Sequence, residues 1–455
     1  MIDVLLINPY QKKRISLAAY RDKIKFPVLS LLSLASYLEK EGFKVEILDL
    51  NAKALKNKNI LKVIKENNPI IIGITSITAT IYEAYRLARL IKSKFNIPLI
   101  IGGPHATFAD EEILNESKFD IVVRGEGEET LIEIMRIIRG NQNLDNVKGI
   151  SYKINGKIIK NETREFIEDL DKLPYPARHL VALEKYGTHA FTIITSRGCP
   201  FGCKFCQVPG KDGLKWRYRS TANIIEEIKE VLKKYPNIKK VSGPEGKRPM
   251  IFFVDDNFMV SIKRIEEICT KIIEERIEIY WDSNARVDSI ANISEDLLDL
   301  IKKSGCFHLF LGVESGSEKT LRSYNKQIKK QDALKAAERL RKKGIYFTGA
   351  FMLGYIQENK SDLNATIQFA KKMEPTTVAF RILIPLPGTK IYEKYIKEDL
   401  IMDFNYSNYT SGIQIVKHKE NLERWVLKFY LMYYLRPRKE YLDLGMWKMV
   451  LQTYS

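Results

Sequence analysis

Cysteine is scarce in this chain, with five in 455 residues and none before position 199. So thin a supply excludes a disulfide-stapled framework. No apolar run approaches the roughly 18 residues of a membrane span. There is no internal repeat of solenoid period and no low-complexity segment. The first residues, Met1 to Ile7, read as a strand and lack the basic leader of a signal peptide, so the expectation is a cytoplasmic protein with reduced thiols. Lys and Arg number 74 against 56 Asp and Glu, a net charge of +18. That excess suits an acidic partner or an anionic surface. No Lys/Arg run is long enough to read as a nucleic-acid arm. Hydrophobic content of 45% and charged content of 29% are those of a soluble globular protein. The length implies two or three domains.

What cysteine there is lies concentrated. Cys199, Cys203 and Cys206 fall within eight residues, in Ser196-Arg197-Gly198-Cys199-Pro200-Phe201-Gly202-Cys203-Lys204-Phe205-Cys206. The apolar run Phe191 to Ile194 just before it reads as a strand, so the thiols sit on a loop at a strand end. Gly198, Pro200 and Gly202 let that loop curl. An iron–sulfur cluster normally takes four protein ligands, so three thiolates leave one iron open. A zinc knuckle is the competing reading, but no fourth Cys or His lies close, and His189 is ten residues upstream of Cys199. The C-x3-C-x2-C spacing, with Phe205 before its last cysteine, resembles the cluster loop of the radical S-adenosylmethionine (SAM) enzymes. The resemblance implies a [4Fe-4S] cluster on the three cysteines, with SAM on the open iron cleaved to a 5′-deoxyadenosyl radical.

The first 145 or so residues alternate strand and helix signals. Strands are expected at Val4–Asn8, Val45–Leu50, Ile70–Ile74, Pro98–Ile101 and Asp120–Val123, with helices over Pro27–Lys40, Ala79–Phe95 and Glu128–Arg139. Continuous apolar strands between helices predict a doubly wound α/β domain, in which ligands bind at the carboxyl ends of the strands. Those ends carry Asn8, then Thr75-Ser76-Ile77-Thr78, then Gly102-Gly103-Pro104-His105-Ala106-Thr107, then Gly125-Glu126-Gly127. No G-x-G-x-x-G follows the first strand, which counts against a dinucleotide. The P-H-A-T and R-G-E-G-E loops ahead of a radical-SAM loop resemble the cobalamin-binding domain of B12-dependent radical-SAM enzymes. The resemblance implies cobalamin contacts at Asn8, Thr75, Ser76, Thr78, Gly102, Gly103, His105, Thr107, Gly125 and Glu126. None of the five histidines lies in a D-x-H-x-x-G pattern, so a cobalt-ligating histidine of that kind is not expected.

Residues 146–190 read as a bridge: a hairpin turning at Asn155-Gly156, then a two-proline linker around Pro174 and Pro176. From 191 to about 400 the alternation resumes, with strands expected at Met250–Val254, Glu278–Trp281, Leu309–Val313, Tyr346–Met352 and Val378–Ile384. About six β/α units make a partial (β/α)6 barrel, whose reactive residues belong at strand carboxyl ends. By the same resemblance Asp255 and Asp256 stand near the SAM amino group, Glu314 near its ribose, and Arg286 and Ser315 near its carboxylate or the reacting site, with Phe205 beside them. Cys269 and Cys306 are expected in the core.

Residues 401–455 are aromatic and basic, with a helix expected over Glu420–Leu435. The tail resembles the C-terminal extension of a subgroup that includes the anaerobic magnesium-protoporphyrin cyclase, hopanoid methylases and tetraether-lipid ring synthases. It reads either as a helix covering the open barrel edge or as a lid or membrane-surface patch. The resemblance implies methylation, or carbon–carbon bond or ring formation, at an unactivated carbon of a lipid or other apolar substrate, with ferredoxin or flavodoxin as electron donor and no nucleic-acid partner. Two other readings compete. A tRNA methylthiolase would bring a second three-cysteine cluster, and residues 1–198 hold no cysteine. A cobalamin- or metal-binding sensor would cleave no SAM.

Overall fold

The computed structural model describes residues 2–11, 26–52, 59–140, 142–186, 191–236 and 240–435. The first sheet takes β1 (Val4–Asn8), β2 (Val45–Asp49), β3 (Ile71–Thr75), β4 (Leu99–Gly102) and β5 (Ile121–Val123), all parallel, in the order β2-β1-β3-β4-β5. Strand pleating sends alternate residues to opposite faces. Leu5, Ile7, Ile72, Ile74 and Ile101 pack on one face with helix Ile81–Lys92, while Val4, Leu6, Ile71, Ile100 and Ile121 pack on the other with helices Leu29–Lys40 and Glu128–Gly140. Both faces being covered accounts for the unbroken apolar strands.

The hairpin expected in the bridge instead completes this sheet. In β6 (Ile150–Ile154), Ile150 pairs antiparallel with Val123 of β5, and β7 (Lys157–Lys160) folds back on β6. Asn155 (φ 49°) and Gly156 (φ 82°) make the two-residue turn. The edge of β5 would otherwise be an open row of backbone donors and acceptors.

The second sheet is an open barrel. β8 (Phe191–Ile193) is followed by the short antiparallel ribbon of β9 (Ser196–Arg197) and β10 (Arg217–Tyr218), which closes the cysteine loop. Then β11 (Lys240–Gly243) makes a hairpin with β12 (Gly246–Phe253). β13 (Tyr280–Arg286), β14 (Cys306–Glu314), β15 (Tyr346–Leu353) and β16 (Thr377–Ile382) complete it. The parallel order is β8-β12-β13-β14-β15-β16, six strands. Two boundaries differ from expectation. Asp282 to Arg286 belong to β13 itself rather than to a following loop, and β14 begins at Cys306. Cys269 and Cys306 are both buried in the core of the barrel wall.

The chain after β16 ties the two sheets together. Tyr395, Ile401, Tyr406, Tyr409, Ile415 and Val416 share one apolar core with Ile74, Ile81 and Tyr85 of the first domain. Helix Leu422–Tyr434 then lies along the open edge. Phe429 packs edge-on to Phe380 at 5.1 Å, and the N–H groups of Val378 and Phe380 donate to the hydroxyls of Tyr434 and Tyr430. This helix covers an edge strand, as one of the two sequence readings has it. Residues 436–455, with the rest of the basic tail, and His189 lie outside the described residues. No described helix is long and apolar enough to cross a membrane.

Candidate active site

The cysteine loop is held at both shoulders and from beneath. Arg197 pairs with Arg217 across the β9–β10 ribbon. Gly198 adopts φ +84°, and a Cβ there would stand 2.3 Å from the Lys215 carbonyl, so only glycine fits. Asn325 Nδ2 donates to the Gly202 carbonyl at 3.1 Å, and Lys204 N to the Tyr324 carbonyl at 3.0 Å. The three thiols are half-buried. Burial pushes all of them up, Cys206 to about 12, while Lys326 and Arg286 pull the other way at Cys199 and Cys203. Such thiols become thiolates only when a metal takes their protons' place. Among the described residues no three Cys, His, Asp or Glu side chains come close enough to hold one ion. A cluster asks for the thiols to stand apart, one to each iron.

Beneath the loop sits a charge group. Lys326 is buried, 2.8 Å from Glu314 Oε1, with its ammonium 5.9 Å from the centre of the Phe205 ring. Burial disfavours the Lys326 ammonium, but Glu314 and Cys203 together outweigh it and raise the Lys326 pKa. Arg286 lies 3.7 Å over the Phe201 ring and holds Asp288 by two bonds of 3.0 and 2.8 Å. It also donates to the Lys326 carbonyl at 3.3 Å. Of the residues singled out in the sequence, Arg286, Glu314 and Phe205 are thus brought together under the cysteines. Lys326 was not foreseen, because nothing in Tyr324-Asn325-Lys326-Gln327 marks it except, in the fold, positive φ at Asn325 and Gln327.

Asp255 and Ser315 stand elsewhere. Asp255 is fully buried, and its carboxylate accepts from Thr195 N and Oγ1 at 3.1 and 2.8 Å and from the Ser196 hydroxyl, bracing the end of β8. Burial outweighs these donors and pushes its pKa up. Ser315 is buried against Thr366 at 3.1 Å. Asp256, by contrast, opens into a cavity, where burial raises its carboxyl to about 6 against the pull of Lys211.

That cavity, about 960 Å³, lies between the two sheets. One wall is the carboxyl edge of the first sheet: Asn8, Thr75, Ser76, Gly102, Gly103, Thr107, Gly125 and Glu126 all line it. The opposite wall is Ser196, Arg197, Lys211, Asp212, Val254 and Asp256 from the barrel. Volume and mixed lining suit a large ligand. Gly103 has φ +104°, and a Cβ there would meet the Ser76 carbonyl at 2.6 Å, while a Cβ at Gly125 would meet nothing within 4 Å. Gly103 thus lets its loop pack on Ser76, and Gly125 leaves bare backbone on the cavity wall. Sequence reading missed three further contributors: Asn51, the start of helix Leu29–Lys40, and Thr410-Ser411-Gly412. The last is a small-residue loop of the same type as those at the strand ends, and that was its only signal.

Two expected contacts turn away. His105 is fully buried behind the loop, its Nδ1 3.2 Å from Thr78 Oγ1 and its ring edge-on to Tyr406 at 4.9 Å. Neither His105 nor Thr78 lines the cavity. A third is double-faced. Glu126 reaches the cavity, but its carboxylate is 3.0 Å from both Arg197 and Arg217 and accepts from Ile167 N at 2.7 Å. Arg197 and Arg217 outweigh burial and hold its pKa down. Arg197 also meets Glu128 Oε1 at 2.6 Å.

Comparison with known proteins follows the same division. Residues 193–370 match the Radical SAM superfamily and residues 22–135 the B12 binding domain. The uncharacterized methyltransferase PH0819 of Pyrococcus horikoshii is 34% identical over 421 residues, 90% of this chain and 88% of that one. The anaerobic magnesium-protoporphyrin IX monomethyl ester cyclase of Rubrivivax gelatinosus is 28% identical over 84% of this chain and 68% of its own. Among solved structures, the cobalamin-dependent SAM radical enzyme OxsB, with aqua-cobalamin and SAM bound, superposes with a TM-score of 0.78 at 21% identity, covering 99% of this chain and 71% of that one. The methyltransferase TsrM from Kitasatospora setae gives 0.70 at 18% identity, over 87% of this chain and 74% of that one.

Proposed function

Because the chain belongs to the cobalamin-dependent radical SAM methyltransferase family, an enzyme family using a [4Fe-4S] cluster, SAM and cobalamin, we propose that it methylates an unactivated carbon of a substrate bound between the barrel and the cobalamin-binding domain. The carrying observation is a cavity whose two walls are the strand ends of one domain and the shoulder of the cysteine loop in the other. In this reading Cys199, Cys203 and Cys206 hold the cluster. Asn8, Thr75, Ser76, Gly102, Gly103, Thr107 and Gly125 hold the corrinoid. Asp256, Arg286 and Glu314 face SAM. When bound, the cluster and SAM supply a carbon radical and the corrinoid supplies a methyl group.

The chain's own part is to place and seclude. The segment 410–412 closes the cavity from the C-terminal side, and Ile382 N donates to the Ser411 carbonyl at 2.8 Å to fix it there. Seclusion keeps water from quenching a reactive carbon. Inside the barrel, Leu309, Leu311 and Val313 of β14 face the outer core, which leaves Phe310 on the lumen side. By the same alternation in β16, Ala379 and Arg381 face inward. On the β14 and β16 side, Phe310 and Ala379 beside Arg381 make an apolar surface with a cation, which fits a substrate that offers an aliphatic carbon and carries an anionic group. Ring closure at such a carbon is the second reading, favoured by the likeness to the cyclase.

The test is anaerobic reconstitution followed by product analysis. About four irons per chain, bound corrinoid, 5′-deoxyadenosine and a methyl group traceable to labelled SAM are expected. Cys203→Ala should abolish the cluster absorbance and 5′-deoxyadenosine together. SAM cleavage by that variant would sink the cluster assignment, and full turnover without corrinoid would sink the cobalamin assignment.

A further inference from the structure

On the outer side of the barrel, behind the cysteine loop, lies a second groove of about 840 Å³ between helices Glu318–Ser323, Lys330–Lys342 and Lys360–Met373. Four of its lining side chains are cations, Arg322, Lys329, Lys330 and Lys372, and one is an acid, Glu318. Glu318 does not neutralise them: it stands 3.8 Å from Arg322 and 3.9 Å from Lys330, in pairs largely open to water. Pairs of that kind contribute little and leave the surface field positive. The groove floor touches the cysteine loop directly. Asn325 lines the groove and donates through Nδ2 to the Gly202 carbonyl at 3.1 Å, next to Cys203. Its neighbour Tyr324 accepts through its carbonyl from the Lys204 amide at 3.0 Å, and Lys204 is itself an exposed cation of the cysteine loop.

We propose that this basic groove docks a small acidic one-electron carrier protein and that Asn325 marks the short path from it to the cluster. The proposal rests on the assignment of Cys199, Cys203 and Cys206 as cluster ligands. In the docked pair one electron leaves the reduced carrier, which is oxidised by one, and enters the cluster, which is reduced by one; no bond forms or breaks in that step. The surface fits this task and not a buried, permanent interface. Its charges are spread and solvated, which speeds and steers encounter without tight binding, and one of its lining side chains, Asn325, is bonded to the cysteine loop.

The experiment compares reductants on the reconstituted holoenzyme. Reduced flavodoxin and reduced ferredoxin are the carrier probes, and dithionite, which needs no docking surface, is the control. Loss of the cluster's visible absorbance is followed by stopped flow, and carrier binding is measured by calorimetry at low and high salt. The triple variant Arg322→Glu, Lys329→Glu, Lys330→Glu should bind the carrier at least tenfold more weakly at low salt. It should also slow carrier-driven reduction by a similar factor and remove most of its salt dependence, with dithionite reduction unchanged. Carrier reduction unaffected by the triple variant overturns the proposal. So does an equal slowing with dithionite, failure of both carriers to reduce the wild type, or a groove that takes up RNA in preference to either carrier. Loss of the cluster itself would instead strike the assignment of the cysteines, and the absorbance before reduction distinguishes the two.

Discussion

Glu358 holds its carboxylate where water barely reaches. Its Oε2 accepts from Gly354 N at 2.6 Å and Tyr355 N at 3.2 Å, yet burial wins over both donors and pushes the pKa up to about 7. The folded state therefore keeps a proton that the unfolded chain releases near 4.5. Stability must fall as pH rises between those values and level off above 7, by up to about 3 kcal/mol if the whole shift is expressed. Glu358→Gln keeps one oxygen to accept both backbone N–H groups and abolishes the titration. Thermal unfolding at pH 5 and pH 8 should show the variant gaining on the wild type at the higher pH, and a constant difference would contradict this account. His105 makes the complementary point about single residues. A histidine in a strand-end loop looks like a ligand contact in sequence, but Gly103 turns the chain into the short helix Pro104–Phe108, which sends His105 inward to Thr78 and Tyr406.

At the level of elements, the long amphipathic helices and the unbroken apolar strands were legible because periodicity reports burial. β13 was not. Trp281, Ala285 and their neighbours pack outward while Asp282, Asn284 and Arg286 alternate toward the barrel lumen, so the strand reads as a polar loop. A barrel that works on a ligand breaks the apolar-inside rule at its own site. The cysteine loop was legible from spacing alone, but its support was not. Gly198 carries that support: its φ of +84° and the Lys215 carbonyl 2.3 Å from a would-be Cβ leave no room for alanine. The left-handed conformation alone costs roughly 1–2 kcal/mol for an L-residue, and the contact is with backbone, which cannot swing aside. Gly198→Ala should fold but reconstitute with far fewer than four irons per chain. Gly344→Ala, at φ +63° with nothing within 4 Å, should lose about 1 kcal/mol and keep its iron. Equal iron in the two variants would show that the ribbon does not set the loop.

At the scale of the whole molecule, the two domains are joined by an apolar seam and by one buried charge network. The seam runs through Tyr395, Tyr406 and Val416. In the network, Glu126 and Glu128 of the first domain meet Arg197 at 3.0 and 2.6 Å, and Arg217 meets Glu126 at 3.0 Å, all four being well buried. The sequence offered Glu126 as a cofactor contact because it stands at a strand end; its partner lies some seventy positions away, where no periodicity could reveal it. Arg197 is two residues from Cys199, so the pairs fix where the cysteine loop stands against the strand ends of the first sheet. Two carboxylates and two guanidiniums balance, and removing one cation strands a buried anion, a loss of about 3–5 kcal/mol. Arg197→Gln should lower the unfolding temperature of the chain without cofactors and weaken cobalamin binding. The double variant Arg197→Gln, Glu128→Gln should recover part of both, because neutralising the two partners together leaves less charge unpaired. Strictly additive losses would mean that the pair merely decorates an interface held by the apolar seam. Recovery would mean that one guanidinium sets how the cysteine loop is held against the first sheet.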